Sequence, residues 1–183
     1  MRGIAGLPTV RVATSADLED MRAIYNHAVR HTDATLDTDE KTPEQMAIWL
    51  AAHGGRNPAV VAERDGQVIG YGTLSPFAPR GGYRPSTEIS VYVAPGAQGT
   101  GVGKTLTGWL VDFARDEGYS TIISFNTDTN IASIRMIERY GFARTGLIQH
   151  VGAKLGSLVN LAVFQLIFPE NLSRYQNEQD STA

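Results

Sequence analysis

Apolar residues recur along the chain with two periods. Val10 and Val12 flank Arg11 as in a strand, and the run stops at Ala13-Thr14-Ser15. Leu18, Met21, Ile24, Tyr25, Ala28 and Val29 then repeat at helical spacing, which predicts an amphipathic helix ending near His31. Thr14 or Ser15 is its expected cap, and Asp17, Glu19 and Asp20 fall where the helix dipole favours negative charge. Thr42-Pro43-Glu44 opens a second helix, with Met46, Trp49 and Leu50 on its apolar face and Gly54-Gly55 after it. Residues 59–62 and 68–74 read as strands around an Asp65-Gly66 hairpin turn. The Pro- and Gly-rich stretch 75–85 is an irregular loop, long enough to carry function.

The same alternation continues to the end. Residues 88–93 form a strand, a glycine-rich turn spans 98–103, and a helix runs over about 104–117. Strands are predicted over 121–125 and 143–148, with a helix over 132–140 between them. The run 158–168 is nearly continuous in apolar residues, which predicts a central strand buried on both faces. After Pro169 the chain is polar and expected to fray. The class is α/β or α+β with a mixed sheet: an extension over 1–9, one domain over 10–168 and a tail over 169–183.

Composition narrows the function. The 183 residues are 42% hydrophobic and 19% charged, enough for a single domain at about 100–200 residues per domain. A formal charge of −3 supplies no basic field for nucleic acid. The absence of cysteine removes thiol nucleophiles, thiolate metal sites and disulfides. The start lacks a signal-peptide core, and no apolar run approaches the roughly 18 residues of a span, so a cytoplasmic location is expected. His27 and His31 stand one helical turn apart with no third ligand in sight, and no metal site is expected.

The segment Ser90-Val91-Tyr92-Val93 followed by Gln98-Gly99-Thr100-Gly101-Val102-Gly103-Lys104 carries the chemistry. A strand runs through a glycine turn into a helix, whose free amides favour an anion such as phosphate. Gly103-Lys104-Thr105 matches the end of a P-loop, but Gln98 occupies the place of its first glycine. The dinucleotide fingerprint fails on the spacing of Gly99, Gly101 and Gly103. The pattern met in full is Gln/Arg-x-x-Gly-x-Gly, by Gln98, Gly101 and Gly103.

That pattern resembles the coenzyme-binding motif of the GNAT N-acetyltransferases. Asn130-x-x-Ser133 with Tyr140-Gly141-Phe142 resembles the family's second motif. Closer similarity to the phosphinothricin and methionine-sulfone acetyltransferase subgroup shows in residues 24–29, in Gly70-Tyr71, Tyr83-Arg84 and Glu88, and in Val151-Gly152 with Lys154 and Gly156. The resemblance implies a single mixed, mostly antiparallel sheet with a splayed central strand and helices on both faces. It implies acetyl-CoA as cosubstrate, a small amino-acid-like amine as acceptor, direct transfer, and a homodimer.

It further implies that backbone amides of Val91, Tyr92, Val93, Gly99, Thr100, Gly101, Val102, Gly103 and Lys104, with Asn130 and Ser133, hold the coenzyme. Glu88 stands where the subgroup places its general base, and Gly81, Gly82, Tyr83 and Arg84 align with its substrate-binding segment. Ile137 occupies the place of the family's usual acid, so solvent is expected to protonate the leaving thiolate. Pro85 and Ile89 replace subgroup histidines, Leu36 replaces an aromatic and Asn160 an aspartate; Gly156-Ser157-Leu158 stands for Gly-Arg-Trp. A catalytically silent acetyl-CoA-binding module and a P-loop-like nucleotide binder are the alternative readings.

Overall fold

The computed structural model describes residues 6–176, arranged on a seven-stranded sheet. Its strands are β1 (Thr9–Val12), β2 (Ala59–Arg64), β3 (Gln67–Pro76), β4 (Ser86–Val93), β5 (Thr121–Thr127), β6 (Ala143–Lys154) and β7 (Ser157–Ile167). They lie in the order β1-β2-β3-β4-β5-β7-β6, and β4 with β5 is the parallel pair among antiparallel ones. Four helices pack on it: α1 (Leu18–His31), α2 (Pro43–Ala51), α3 (Val102–Asp116) and α4 (Ile131–Glu138).

The two cores follow from strand alternation. Val61 and Tyr71 face Met21 and Ile24 of α1 and Met46 of α2. Val60, Leu74, Ile89, Ile122 and Phe164 face α3 and α4 on the opposite side. Leu106 and Leu110 of α3 are 0% exposed, each contributing about 1.5–3 kcal/mol by burial alone. Beneath them β3 carries Gly70 and Gly72; a Cβ there would lie 2.9 Å from Val102 Cγ1 and 2.8 Å from Leu110 Cδ1 respectively. Helix α3 therefore rests on the β3 backbone itself.

Entry to α1 is fixed electrostatically. A short 3-10 turn over Ser15–Asp17 precedes it, and the Thr14 N–H donates to the Asp17 carboxylate at 2.8 Å. Arg11 grips the same carboxylate with Nη1 and Nη2, both at 2.8 Å, and reaches Glu63 with Nε at 2.9 Å. These donors, Arg11 foremost, hold the Asp17 pKa down at about 2.

The structure departs from the sequence pattern at the C-terminal end. β6 continues to Lys154, with register breaks between Arg144 and Gly146 and between Ile148 and Gly152. Those irregularities interrupt the alternation from which a strand is read. β7 is not central but lies beside the edge strand. Val159, Ala162 and Phe164 are buried, whereas Leu158 is 67% and Ile167 50% exposed at the two ends of the strand, on opposite faces. The start of the tail does not fray. Pro169–Tyr175 form a 3-10 segment whose Asn171 Nδ2 donates to the carbonyls of Arg115 at 2.8 Å and Tyr119 at 2.9 Å. Polar groups there satisfy carbonyls at the end of α3. Positions 1–5 and 177–183 of the expected extension and tail lie outside the described residues. No described helix is long and apolar enough to cross a membrane.

Candidate active site

β4 and β5 are paired only at Ser86, Thr87 and Glu88, opposite Thr121, Ile122 and Ile123. Beyond Glu88 they part, while β4 stays paired with β3 through Val93 and β5 with β7 through Thr127. Leu74 N–H donates away from β4, to Pro58 O at 3.0 Å, and Ala94 N–H donates to Ile69 O at 3.0 Å. Antiparallel alternation then turns the N–H and C=O groups of Glu88, Ser90 and Tyr92 toward β3, the N–H of Ile89 toward Ile123 of β5, and the N–H and C=O groups of Val91 and Val93 toward the gap. Tyr92 is thus a correction: its amide is committed to β3, and it borders the gap as a lining residue. Ile89 N–H is spent on the last β4–β5 pair, opposite Ile123, which leaves Val91 and Val93 as the strand amides free in the gap.

The turn after β4 presents a second set of donors. Gly99 (φ 73°) and Gly101 (φ 91°) adopt the left-handed region that side chains disfavour, and Gly101 caps α3. The amides of Gly99, Gly101, Val102, Gly103 and Lys104 make no backbone hydrogen bond among the described residues; Thr105 N–H is the first spent, on Gly101 O at 3.0 Å. Such a nest at a helix N-terminus suits a phosphate. Thr100 departs from the expectation: its N–H and Oγ1 both turn back to Ala97 O, at 3.4 and 2.7 Å.

Across the gap, Asn130 Oδ1 accepts from Ser133 N–H at 3.2 Å, capping α4, and Ser133 Oγ donates to Asn126 Oδ1 at 2.7 Å. Both Asn130 and Ser133 line the gap. So does Thr127, 3% exposed, whose Oγ1 is the buried side-chain atom left without a hydrogen-bond partner among the described residues. Leaving a buried hydroxyl unpaired costs about 1–3 kcal/mol, so the orphan points to a ligand group in the gap.

Glu88 sits where the strands part, on the face shared by Ser90 and Tyr92. It makes no hydrogen bond or ion pair among the described residues, and burial pushes its carboxyl pKa up. The 3-10 turn Gly81–Tyr83 approaches through aromatic contacts: Tyr83 lies edge-on to Phe77 at 5.4 Å, and Phe77 stacks over Phe125 of the gap at 6.4 Å. Gly81 and Gly82 are exposed in open space. Arg84 is not brought to the gap; it lines a separate hollow with Arg56 and Tyr119 at the far end of β4. Ile137 is 3% exposed and borders the gap, while Tyr140 OH is committed to Lys104 O at 2.6 Å.

This constellation finds a match among known proteins. The model of the acetyltransferase (GNAT) family fits residues 18–142. The chain belongs to that family. A phosphinothricin N-acetyltransferase of Streptomyces coelicolor is 36% identical over 160 residues, covering 85% of this chain and 94% of its own. An L-methionine sulfoximine/L-methionine sulfone acetyltransferase of Salmonella typhimurium is 36% identical, covering 89% of this chain and 96% of its own. Among solved structures, a GNAT phosphinothricin acetyltransferase from Sinorhizobium meliloti in complex with AcCoA superposes with a TM-score of 0.88 at 32% identity, covering 92% of each chain.

Membership makes the protein an acyltransferase that uses acetyl-CoA as cosubstrate. The residues present fit that molecule: an amide nest for its diphosphate, a row of strand amides for its amide-bearing arm, and an orphan hydroxyl beside them. Among the described residues no group of three or more histidine and acidic side chains could hold a metal ion.

Proposed function

We propose that the protein transfers the acetyl group of acetyl-CoA directly to the primary amine of a small amino-acid-like acceptor, of the phosphinothricin or methionine sulfoximine/sulfone type. The observation that carries this reading is the parting of β4 from β5 at Glu88, which sets an unpaired carboxylate beside free strand amides. The amide of Val91, the first free donor beyond the parting, polarises the thioester carbonyl, a preorganised arrangement that needs no rearrangement during transfer. Glu88 takes the proton from the acceptor ammonium, directly or through one water, and its raised pKa brings it closer to the neutral range where a base works best. The amides of residues 99 and 101–104 hold the diphosphate, and Asn130, Ser133 and Thr127 line the path of the coenzyme arm.

No side chain is assigned as acid. Ile137 cannot donate, and the Tyr140 hydroxyl is spent on Lys104 O. Solvent protonates the departing thiolate, a modest demand for a thiol of pKa about 8.5. Donor supply supports a cytoplasmic site of action. The exposed apolar side chains of the β7–β6 end of the sheet, Ile148, Val151, Leu158 and Ile167 at 44%, 45%, 67% and 50% exposure, support pairing of two copies. The test is thiol release from acetyl-CoA across an amine panel, read with a thiol reagent to which this cysteine-free chain adds no background. Release with phosphinothricin or methionine sulfone is expected. Coenzyme binding with no release on any amine would leave only a binding module, and binding of ATP but not acetyl-CoA would favour the nucleotide reading.

A further inference from the structure

A second cavity, of about 190 Å³, lies on the α1/α2 side of β4. It is several times the roughly 30 Å³ share of a water molecule, and it is lined on several sides by aromatic rings. Tyr71 stacks with Tyr92 at 5.2 Å, Tyr25 meets Tyr92 edge-on at 5.2 Å, and Trp49 meets Tyr71 edge-on at 6.0 Å. Ser90 and Tyr92 line both this cavity and the coenzyme gap, so one strand forms the wall between them. Glu88 lies two residues from Ser90 on the same face, about 7 Å along the strand. An amine held at Glu88 would therefore point its side chain along the strand into the aromatic chamber.

The chamber's charges are already matched. Lys41 Nζ pairs with Asp37 Oδ2 at 2.7 Å, and the same oxygen accepts from Tyr25 OH at 2.7 Å. Among the described residues no arginine or histidine lines the cavity. Tyr71, 1% exposed, makes no hydrogen bond through its hydroxyl among the described residues, which leaves a neutral donor and acceptor for a guest. Aromatic faces are electron-rich and a buried anion needs a free partner, so an anionic side chain is poorly served here.

Resting on the acetyl transfer proposed above, we propose that this cavity receives the acceptor's side chain and selects uncharged groups, aromatic or bearing a neutral oxygen such as a sulfone, over an anionic phosphinate. Trp49, Tyr71, Tyr92 and Tyr25 are its selecting residues; they contact the acceptor and leave the proton to Glu88.

The experiment measures kcat/KM for L-phenylalanine, L-methionine sulfone and phosphinothricin at saturating acetyl-CoA. The two uncharged acceptors are expected to exceed phosphinothricin by at least about tenfold. Trp49→Leu is expected to raise KM for phenylalanine severalfold with KM for acetyl-CoA unchanged, and Tyr71→Phe to raise KM for the sulfone but not for phenylalanine. Phosphinothricin turned over as well as or better than the uncharged pair overturns the selection while amine acetylation stands. An unchanged acceptor KM in Trp49→Leu overturns the cavity's assignment. Silence on every amine, with the coenzyme still bound, overturns the transfer reading and this inference together.

Discussion

Replacing Thr127 with valine separates a ligand-facing hydroxyl from a merely structural one. Valine keeps the shape of threonine and replaces only the hydroxyl, a donor and an acceptor, and Thr127 Oγ1 is buried without a partner among the described residues. In the free protein the orphan costs about 1–3 kcal/mol, so Thr127→Val should stabilise it by the lower end of that range. For a domain of this size, about 1 kcal/mol raises the melting temperature by roughly 2–4 °C. With coenzyme bound, a net hydrogen bond of about 0.5–1.5 kcal/mol disappears, weakening affinity by about two- to tenfold. Thermal unfolding without ligand and calorimetric titration of acetyl-CoA read the two effects, which run in opposite directions. A variant less stable than the parent, or one that binds acetyl-CoA unchanged, would refute the reasoning.

Four further outcomes are expected. Glu88→Gln should lower turnover at neutral pH with coenzyme affinity intact, and should stabilise the fold. Because burial raises the folded pKa, the folded state holds its proton longer than the unfolded chain; parental stability therefore declines as pH rises between the two values, a decline the Gln variant lacks. Activity in the parent should fall as pH drops through that raised value. Asp17→Asn should cost about 1–2 kcal/mol by denaturant titration, toward the low end for charged hydrogen bonds since Arg11 is 40% exposed. Asp17's contribution is present above the ordinary carboxylate range and is lost as pH falls toward about 2. Tyr140→Phe should retain turnover; its abolition with coenzyme binding intact would make Tyr140 the missing acid. Light scattering should give twice the chain mass, and Leu158→Glu should return it to one.

The elements that carried a clean period were legible in the sequence. The three- and four-residue spacing of Leu18, Met21, Ile24 and Val29 placed α1 within a turn, and Thr42-Pro43 marked the start of α2. The glycine turn was legible because left-handed φ at Gly99 and Gly101 demands that residue. The direction of each amide was not. Which of Ile89, Val91, Tyr92 and Val93 face the gap depends on the register with β3, a long-range relation that no local spacing records. Thr127 was missed for a similar reason, since an unpaired hydroxyl exists only once its neighbours are in place. β7 misled because apolar continuity does not record a strand's place in the sheet: it lies second from the edge, and both of its ends are exposed.

Gly70 and Gly72 have a reach beyond their own strand. Where they leave β3 bare, α3 descends until Val102 and Leu110 stand at 2.9 and 2.8 Å from the positions their Cβ atoms would fill. The pair works as a depth gauge: it sets how low the rod of α3 rides, and with it the height of the free amides of its first turn over the parted strands. A methyl group added at either glycine would tip or lift that rod as one piece and carry every donor at its tip in the same direction. Coenzyme affinity in this fold can thus be tuned from underneath, at two positions that no ligand touches.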